Sequence, residues 1–515
     1  MIGPMRLPKL RFVFLAAAVL ALGGPDCRAS SVDALGAELS QLRPAGHSVV
    51  RLRAHDHGAL RALRAVYGSR STPLWVADDR PTPDALALLQ TLQQADTYGL
   101  EPSDYDAGGL AALATKGLGT ARALATASRI NQRDPTSNEM LDTQRWATFD
   151  VNLSAAALKL VCDLHYGRID PRAAGFDLGT PRVDDLDLAR ELVALATAND
   201  IRPWLAAVEP RFLHYRLLEQ SLPRYRLLAA SEPAAAAKVR KIELTLERWR
   251  WLPAFGTPPI IVNIPQFRLF AFRTTADRAA DILQMGVIVG KTFPRTRTPV
   301  FVADMTSVIF RPYWDVPRSI LLREELPKIR ANPAYLSAQH LEIVRGATDS
   351  ATPLAPTAAS IQLLANGAAR LRQRPGPDNA LGLIKFDLPN RYDVYLHSTP
   401  ARQLFLRQRR AFSHGCIRVS DPLALAAYVL RDAPGGWTRA RILAAMDGTQ
   451  TRRVRLSRPI RVIILYGTVL AKEDGEVLFF DDLYGQDRRL ERLLGMPAVG
   501  PHRGRMEARN LVNRG

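Results

Sequence analysis

Cysteine is nearly absent from this chain: three residues in 515, at positions 27, 162 and 416. That scarcity excludes a disulfide framework as the source of its stability. Long apolar runs are missing as well. Beyond residue 29 no stretch approaches the roughly 20 consecutive apolar residues that a membrane-spanning helix needs. Aromatic residues are only 7% of the chain and nowhere interleave with a compact basic cluster, so nucleic acid is excluded as a partner despite a formal net charge of +19. Histidine and cysteine do not recur at metal-ligand spacing. The trio His55-Asp56-His57 has no further ligand nearby and reads as a hydrated loop. No motif implies a metal or an organic cofactor.

What is present begins with a leader. Arg6, Lys9 and Arg11 precede an apolar run from Phe12 to Gly23, and Cys27-Arg28-Ala29 places small residues at the −3 and −1 positions of a cleavage site. Residues 1–29 are therefore expected to be an export signal directing the chain to the periplasm, with a retained inner-membrane anchor as the alternative. The positive charge is spread along the chain. It reads either as a solvated arginine-rich surface or as attraction to an anionic envelope polymer or membrane.

The remaining residues suggest an α+β, multidomain protein. From about residue 30 to 240 apolar residues recur at helical spacing, as in Pro83–Leu89 and Asn152–Leu158, and turns are marked at Tyr98-Gly99 and Tyr166-Gly167. Cys162 lies in an apolar helical context and reads as a small buried residue. Residues 241–455 form a strand-rich domain, with strands expected at Ile260–Phe272, Ile282–Val289, Val300–Val302, Val394–Leu396 and Ile417–Val419. Within it, residues 311–381 form a long insertion of the kind that covers a site as a lid, or else a plain surface excursion. Residues 456–515 are expected to add strands at Arg461–Val469 and Glu476–Phe480, flanking Glu473-Asp474-Gly475 as a hairpin that rejoins the sheet, and a helix.

Chemistry concentrates at Ser413-His414-Gly415-Cys416, with His397 nineteen positions before the cysteine. A thiol with an ordinary pKa of about 8.5 is mostly protonated at neutral pH and needs a base or cation beside it to act as a nucleophile. His397 and His414 are the candidates. Gly415 lets backbone amides approach a substrate oxygen, so the amides of Gly415 and Cys416 are the expected oxyanion donors. Ser420-Asp421-Pro422 then starts a helix, which leaves the cysteine on a tight loop between defined elements.

His397, a fifteen-residue gap and Ser413-His414-Gly415-Cys416 together resemble the signature of the L,D-transpeptidases with a YkuD-type catalytic domain. The wider chain resembles their large periplasmic YcbB-like subgroup. The segments Leu246–Pro253, Val289-Gly290-Lys291, Asn332–Leu336, Arg374–Pro377, Asn379–Gly382 and Tyr395–Pro400 carry that likeness, and Tyr166-Gly167-Arg168 resembles the subgroup's helical scaffold. The subgroup's peptidoglycan-binding module has no room here, since only about Leu222 to Lys241 occupies its place.

The resemblance implies that Cys416 attacks the bond between the diamino acid and D-Ala of a donor stem peptide, with His397 as base. A second stem peptide then resolves the thioester into a 3→3 cross-link. It further implies that His414 orients the loop or promotes the thiolate, that Ser398 fixes the ring of His397, and that Arg418 and Ser413 meet the substrate. Tyr313 and Trp314 would form part of the lid. Arginine at 418 is usual for the subgroup, where other relatives have asparagine. The expected partners are peptidoglycan stem peptides, with envelope proteins as a second class. Hydrolysis of the same thioester, an L,D-carboxypeptidase activity, stays open, as does a non-catalytic wall-bound scaffold. Papain-like hydrolases place cysteine before histidine, the reverse of the order here.

Overall fold

The computed structural model describes residues 57–68, 70, 72–115, 135–179, 186–252, 258–274 and 282–496. The leader at 1–29, and His55 and Asp56, lie outside the described residues. The architecture is α+β, with helices up to Arg250 and strands predominating beyond it. No described helix is long and apolar enough to cross a membrane. The chain folds as two compact units, one drawn from residues 1–90, 103–158 and 188–200, the other from 91–102, 159–187 and 201–515.

The first unit holds helices α1 (His57–Gly68), α2 (Pro83–Gln93), most of α3 (Pro135–His165) and α4 (Leu188–Leu195). Thr82 caps α2 by accepting from the Ala85 amide at 3.1 Å. A buried carboxylate organises the middle of α3. Asp150 accepts from the Tyr67 hydroxyl at 2.5 Å and from the amides of Trp75 and Leu74 at 2.6 and 3.1 Å. Both buried carboxylate oxygens thereby have partners.

The second unit contains α5 (Ile201–Val208), α6 (Leu213–Ser231) and α7 (Ala236–Arg250), and α6 and α7 share one core with the strands. Tyr215, Leu218, Leu222, Ile242 and Leu246 pack into the same cluster as Ile260, Val262, Val462 and Ile464. This explains two of the family-like segments. Glu247 of α7 accepts from the Arg168 amide at 2.6 Å and from its Nε at 3.1 Å, while fully buried Arg250 donates to the Tyr215 hydroxyl. These residues lock helices in place rather than perform chemistry.

The main sheet contains β1 (Ile260–Asn263), β2 (Arg268–Ala271), β3 (Leu283–Gly290) and β4 (Phe301–Phe310). The insertion contributes β5 (Trp314–Asp315), α8 (Leu326–Ala331), β6 (Leu341–Val344), β7 (Pro353–Leu354), α9 (Ala358–Asn366) and β8 (Arg370–Gln373). The chain then returns through β9 (Ile384–Asp387), β10 (Leu396–His397), β11 (Ala411–Ser413) and β12 (Ile417–Val419). Helices α10 (Pro422–Val429) and α11 (Arg439–Asp447) follow, then β13 (Arg452–Leu465), β14 (Val469–Ala471), β15 (Val477–Phe479) and α12 (Gln486–Leu493). The nine-stranded order is β11-β3-β12-β10-β9-β4-β13-β1-β2, and a further β2–β3 pairing closes the ring around an apolar interior. Closure leaves eight of these strands without a free edge, while β11, paired only with β3, keeps one.

The insertion has its own sheet, β5-β8-β6-β7, and its own core of Ile320, Leu326, Ile329, Ile343, Leu364 and Leu371. Two expectations need correcting. The hairpin at Glu473-Asp474-Gly475 pairs β14 only with β15 and does not rejoin the main sheet. The strand that joins it, β13, begins at Arg452 and ends at Leu465, where the Asn263 side chain clamps Gly467 through bonds of 2.8 and 3.0 Å. The helix after Cys416 is capped by Asp421, which accepts from the Ala424 amide at 2.9 Å.

Candidate active site

The site is created by the pairing of two very short strands. β10 and β12 run parallel, with Leu396 opposite Ile417 and His397 opposite Arg418. Leu396 and Ile417 are fully buried in the core. Side chains alternate along a strand, so Tyr395, His397, Cys416 and Arg418 all project from the other face. On the far side of β10, Lys385 of β9 stands opposite His397 and joins the group.

The turn before Cys416 is rigid because its polar atoms are used internally. Ser413, buried, donates its hydroxyl to the Cys416 carbonyl at 2.6 Å and accepts from the Gly415 amide at 3.2 Å. Gly415 adopts φ of +127°, a conformation that side-chain-bearing residues rarely reach. Its carbonyl accepts from Thr298 Oγ1 at 2.8 Å, and the same oxygen of Thr298 accepts from the Gly290 amide at 2.9 Å. The Tyr484 hydroxyl completes the brace, donating to the Gly290 carbonyl at 2.7 Å. Thr298 and Tyr484 carry no sequence signal of their own, as each is distant in the chain from the motif.

Cys416 is half-buried, yet its sulfur is closely surrounded by protein atoms. Sγ donates to the carbonyl of Asp393 at 3.6 Å. Asp393 has φ of +53°, and the loop that holds it is tied by Asn390, whose amide nitrogen donates to the carbonyls of Leu388 and Val394 at 2.6 and 2.7 Å. Burial pushes the thiol up from its ordinary value, opposed by hydrogen bonds from the Tyr395 amide and hydroxyl and by the charges of Lys385 and Arg418. The other free cysteine, Cys162, is buried.

His397 is buried and its Nδ1 lies 2.6 Å from the Ser398 carbonyl, a bond that assigns the proton to Nδ1 and leaves Nε2 as a base. Burial first, then the Arg418 guanidinium, hold the imidazole down to about 3. At neutral pH the resting pair is thus a neutral thiol and a neutral imidazole. Ser398 does orient the ring, but through its backbone. Its hydroxyl instead braces the preceding loop, accepting from the Leu383 amide at 2.7 Å and donating to the Leu381 carbonyl at 3.1 Å.

Arg418 is largely enclosed, and its Nε is buried without a hydrogen-bond partner among the described residues. A guanidinium so placed faces the thiol and imidazole with donors to spare for a carboxylate.

The remaining expected residues divide. His414 turns to the insertion, with Nε2 2.8 Å from Glu324 Oε1. Ser413 is consumed by the turn, which removes it from substrate contact and also occupies the Gly415 amide. Cys416 is therefore the better-placed oxyanion donor of the expected pair. Trp314 reaches the site through the Tyr395 hydroxyl. Tyr313 does not: its ring lies under the Arg372 guanidinium at 4.2 Å, within the insertion.

Tyr395 is the residue that sequence reasoning missed. Its ring stands edge-on to His397, with centroids 5.7 Å apart, and Lys385 Nζ sits 4.1 Å from its ring centre. Its place two residues before His397, on the same face of a strand, was the available signal.

Residues 61–222 match the family model of a scaffold domain, and residues 258–456 match that of the L,D-transpeptidase catalytic domain, YkuD. His397, Cys416, Arg418, Tyr395 and Lys385 all fall inside the second match, whereas the bracing Tyr484 lies beyond it. The interval between the two holds only the end of α6, α7 and the approach to β1. A Haemophilus influenzae protein named "Putative L,D-transpeptidase" is 33% identical over 307 residues, covering 57% of this chain and 59% of that protein. The chain thus spans about three fifths of the relative that it matches.

Proposed function

We propose that the chain, whose residues 258–456 match the L,D-transpeptidase catalytic domain and whose residues 61–222 match a scaffold domain, is an L,D-transpeptidase that cross-links peptidoglycan stem peptides by cysteine acyl transfer. The observation that carries the reading is the placement of Cys416, His397 and Arg418 on one face of adjacent parallel strands.

The donor's carboxylate pairs with Arg418 and brings the carbonyl between its diamino acid and D-Ala to Cys416. As sulfur attacks, the thiol proton passes to Nε2 of His397 and the carbonyl oxygen takes the charge, facing the Cys416 amide. When the tetrahedral intermediate collapses, the carbon–nitrogen bond breaks and His397 returns its proton to the departing amine of D-Ala. The thioester left on Cys416 is attacked by the side-chain amine of a second stem peptide. His397 takes that amine's proton and the thiol is restored. Substrate also tunes the base. A carboxylate on Arg418 offsets the guanidinium's share of the depression of His397, while burial, the larger cause, remains.

Such a reaction belongs where peptidoglycan lies, and the basic, apolar leader at residues 1–29 supports export to the periplasm. The decisive experiment incubates the purified protein and its Cys416→Ala variant with disaccharide-tetrapeptide and follows products by mass spectrometry. A Cys416-dependent dimer fragmenting as a 3→3 linkage is expected. Tripeptide without dimer would make the enzyme a carboxypeptidase, and no turnover at all would refute acyl transfer.

A further inference from the structure

A second cavity, of about 420 Å3, opens on the His414 side of the catalytic turn. Its walls include Lys291, Phe293 and Arg295 from the loop after β3, Arg323 and Glu324 from the insertion, and His414 itself. Three cations thus face one carboxylate, and Glu324 is already engaged by His414 at 2.8 Å. Among the described residues, none of Lys291, Arg295 and Arg323 is ion-paired, and Arg323 uses only Nε, donating to the Ser319 carbonyl at 3.0 Å. Phe293 is 71% exposed and gives the cavity an apolar edge.

The cavity is fixed to the reacting centre. The Lys291 amide donates to the Ser413 carbonyl at 2.9 Å, tying the basic loop to the catalytic turn. His414 lies two residues before Cys416, so their Cα atoms are at most about 7 Å apart. Unpaired cations lining a pocket that His414 borders, distinct from Arg418, suit a second anionic peptide. Acyl transfer between two peptides needs such a second berth, since the amine must be held against the thioester while the donor's acyl group still occupies Cys416.

We propose that this cavity is the acceptor site. Resting on the acyl-transfer reading, it assigns Lys291, Arg295 and Arg323 to the carboxylates of the incoming stem peptide, with the Phe293 ring against its aliphatic chain. The amine then reaches Cys416 past His414, whose bond to Glu324 sets the wall of the cavity. Arginine forks and a lysine point charge are the groups that bind carboxylates best.

The test separates binding from turnover. Disaccharide-tripeptide lacks the terminal D-Ala and can serve only as acceptor. It is titrated by calorimetry into Cys416→Ala protein, with and without Lys291→Ala and Arg295→Ala, alongside the same peptide with its carboxylates amidated. Loss of two charge-assisted contacts should weaken binding of the free-carboxylate peptide at least about tenfold, whereas the amidated peptide should bind weakly to both proteins. In the Cys416-containing protein the double variant should raise the acceptor KM by a similar factor, while acylation by the donor alone, a step the cavity does not enter, stays within about twofold. Lys291→Arg should restore binding.

Unchanged tripeptide affinity in the double variant would overturn the proposal, as would equally tight binding of the amidated peptide or of inorganic phosphate. Acylation that fell in step with acceptor binding would also overturn it, by placing the cations on the donor side. Failure of the wild-type protein to form any thioester refutes the acyl-transfer reading instead, and the binding titration still decides the cavity.

Discussion

The protonation state of the resting site makes the sharpest prediction. Burial raises the Cys416 thiol above its ordinary value of 9.0, and burial with Arg418 holds His397 down to about 3. A thiol titrating above 9.0 is less than about 1% thiolate at pH 7. Alkylation of Cys416 by iodoacetamide, followed by mass spectrometry of the Cys416 peptide so that Cys162 does not interfere, should therefore rise through neutral pH without a plateau. Its rate at pH 7 should be below about 1% of its alkaline limit. Arg418→Gln should push the inflection higher still, because the guanidinium favours the thiolate. His397→Asn should leave the inflection nearly in place, since a neutral imidazole supplies no charge to the sulfur. An acid-side plateau with more than about 10% of full reactivity at pH 7, lost in His397→Asn, would refute this account and show a resting thiolate–imidazolium pair.

Other outcomes follow from the same geometry. His397 binds its proton only near 3 when folded but near 6.5 when unfolded, so its stabilising contribution is full above 6.5 and shrinks as pH falls towards 3. Urea unfolding at about pH 5 should show a loss of about 2 kcal/mol relative to neutral pH that is absent in His397→Gln. Thr298→Val strands the Gly290 amide and Gly415 carbonyl, and should slow Cys416 acylation by about tenfold or more while leaving the fold recognisable by circular dichroism. Gly382→Ala places a methyl group 2.1 Å from Ser398 Oγ at φ of +63°, and should lower the thermal midpoint and acylation together, at a cost of about 1–3 kcal/mol.

Much of the site was legible because its chemistry is local in sequence. Cysteine rarity, a glycine before it and a histidine at fixed spacing single out Cys416 and His397 as candidates without any fold. The helix after the cysteine was legible for the same reason, since Asp421-Pro422 is a complete start signal. What stayed hidden depends on distant pairing. Ser413 looks like a substrate contact until the turn folds and takes its hydroxyl. Tyr313 reads as a lid residue until Arg372 covers it. Strand β13 was missed at its start because Arg452, Arg453 and Arg455 face solvent and break the apolar pattern by which strands are recognised. Thr298 and Tyr484 meet the catalytic turn only through the closed sheet.

The parallel pairing of β10 and β12 has a consequence for how such a site can change. His397 stands opposite Arg418, two residues beyond Cys416, so the offset between His397 and Cys416 is set by the strand spacing of about 4.8 Å and two strand steps of about 3.3 Å each, and owes nothing to the chain that joins them. The crossover from Thr399 to Arg410 can therefore grow, shrink or be recomposed at its surface without moving either reacting atom. The ladder itself has no such freedom. One step of slippage between β10 and β12 would turn the slipped strand's own member of the pair, His397 or Cys416, into the core. Selection can thus experiment freely with whatever this crossover touches, while the dyad is inherited as a single unit or lost as one.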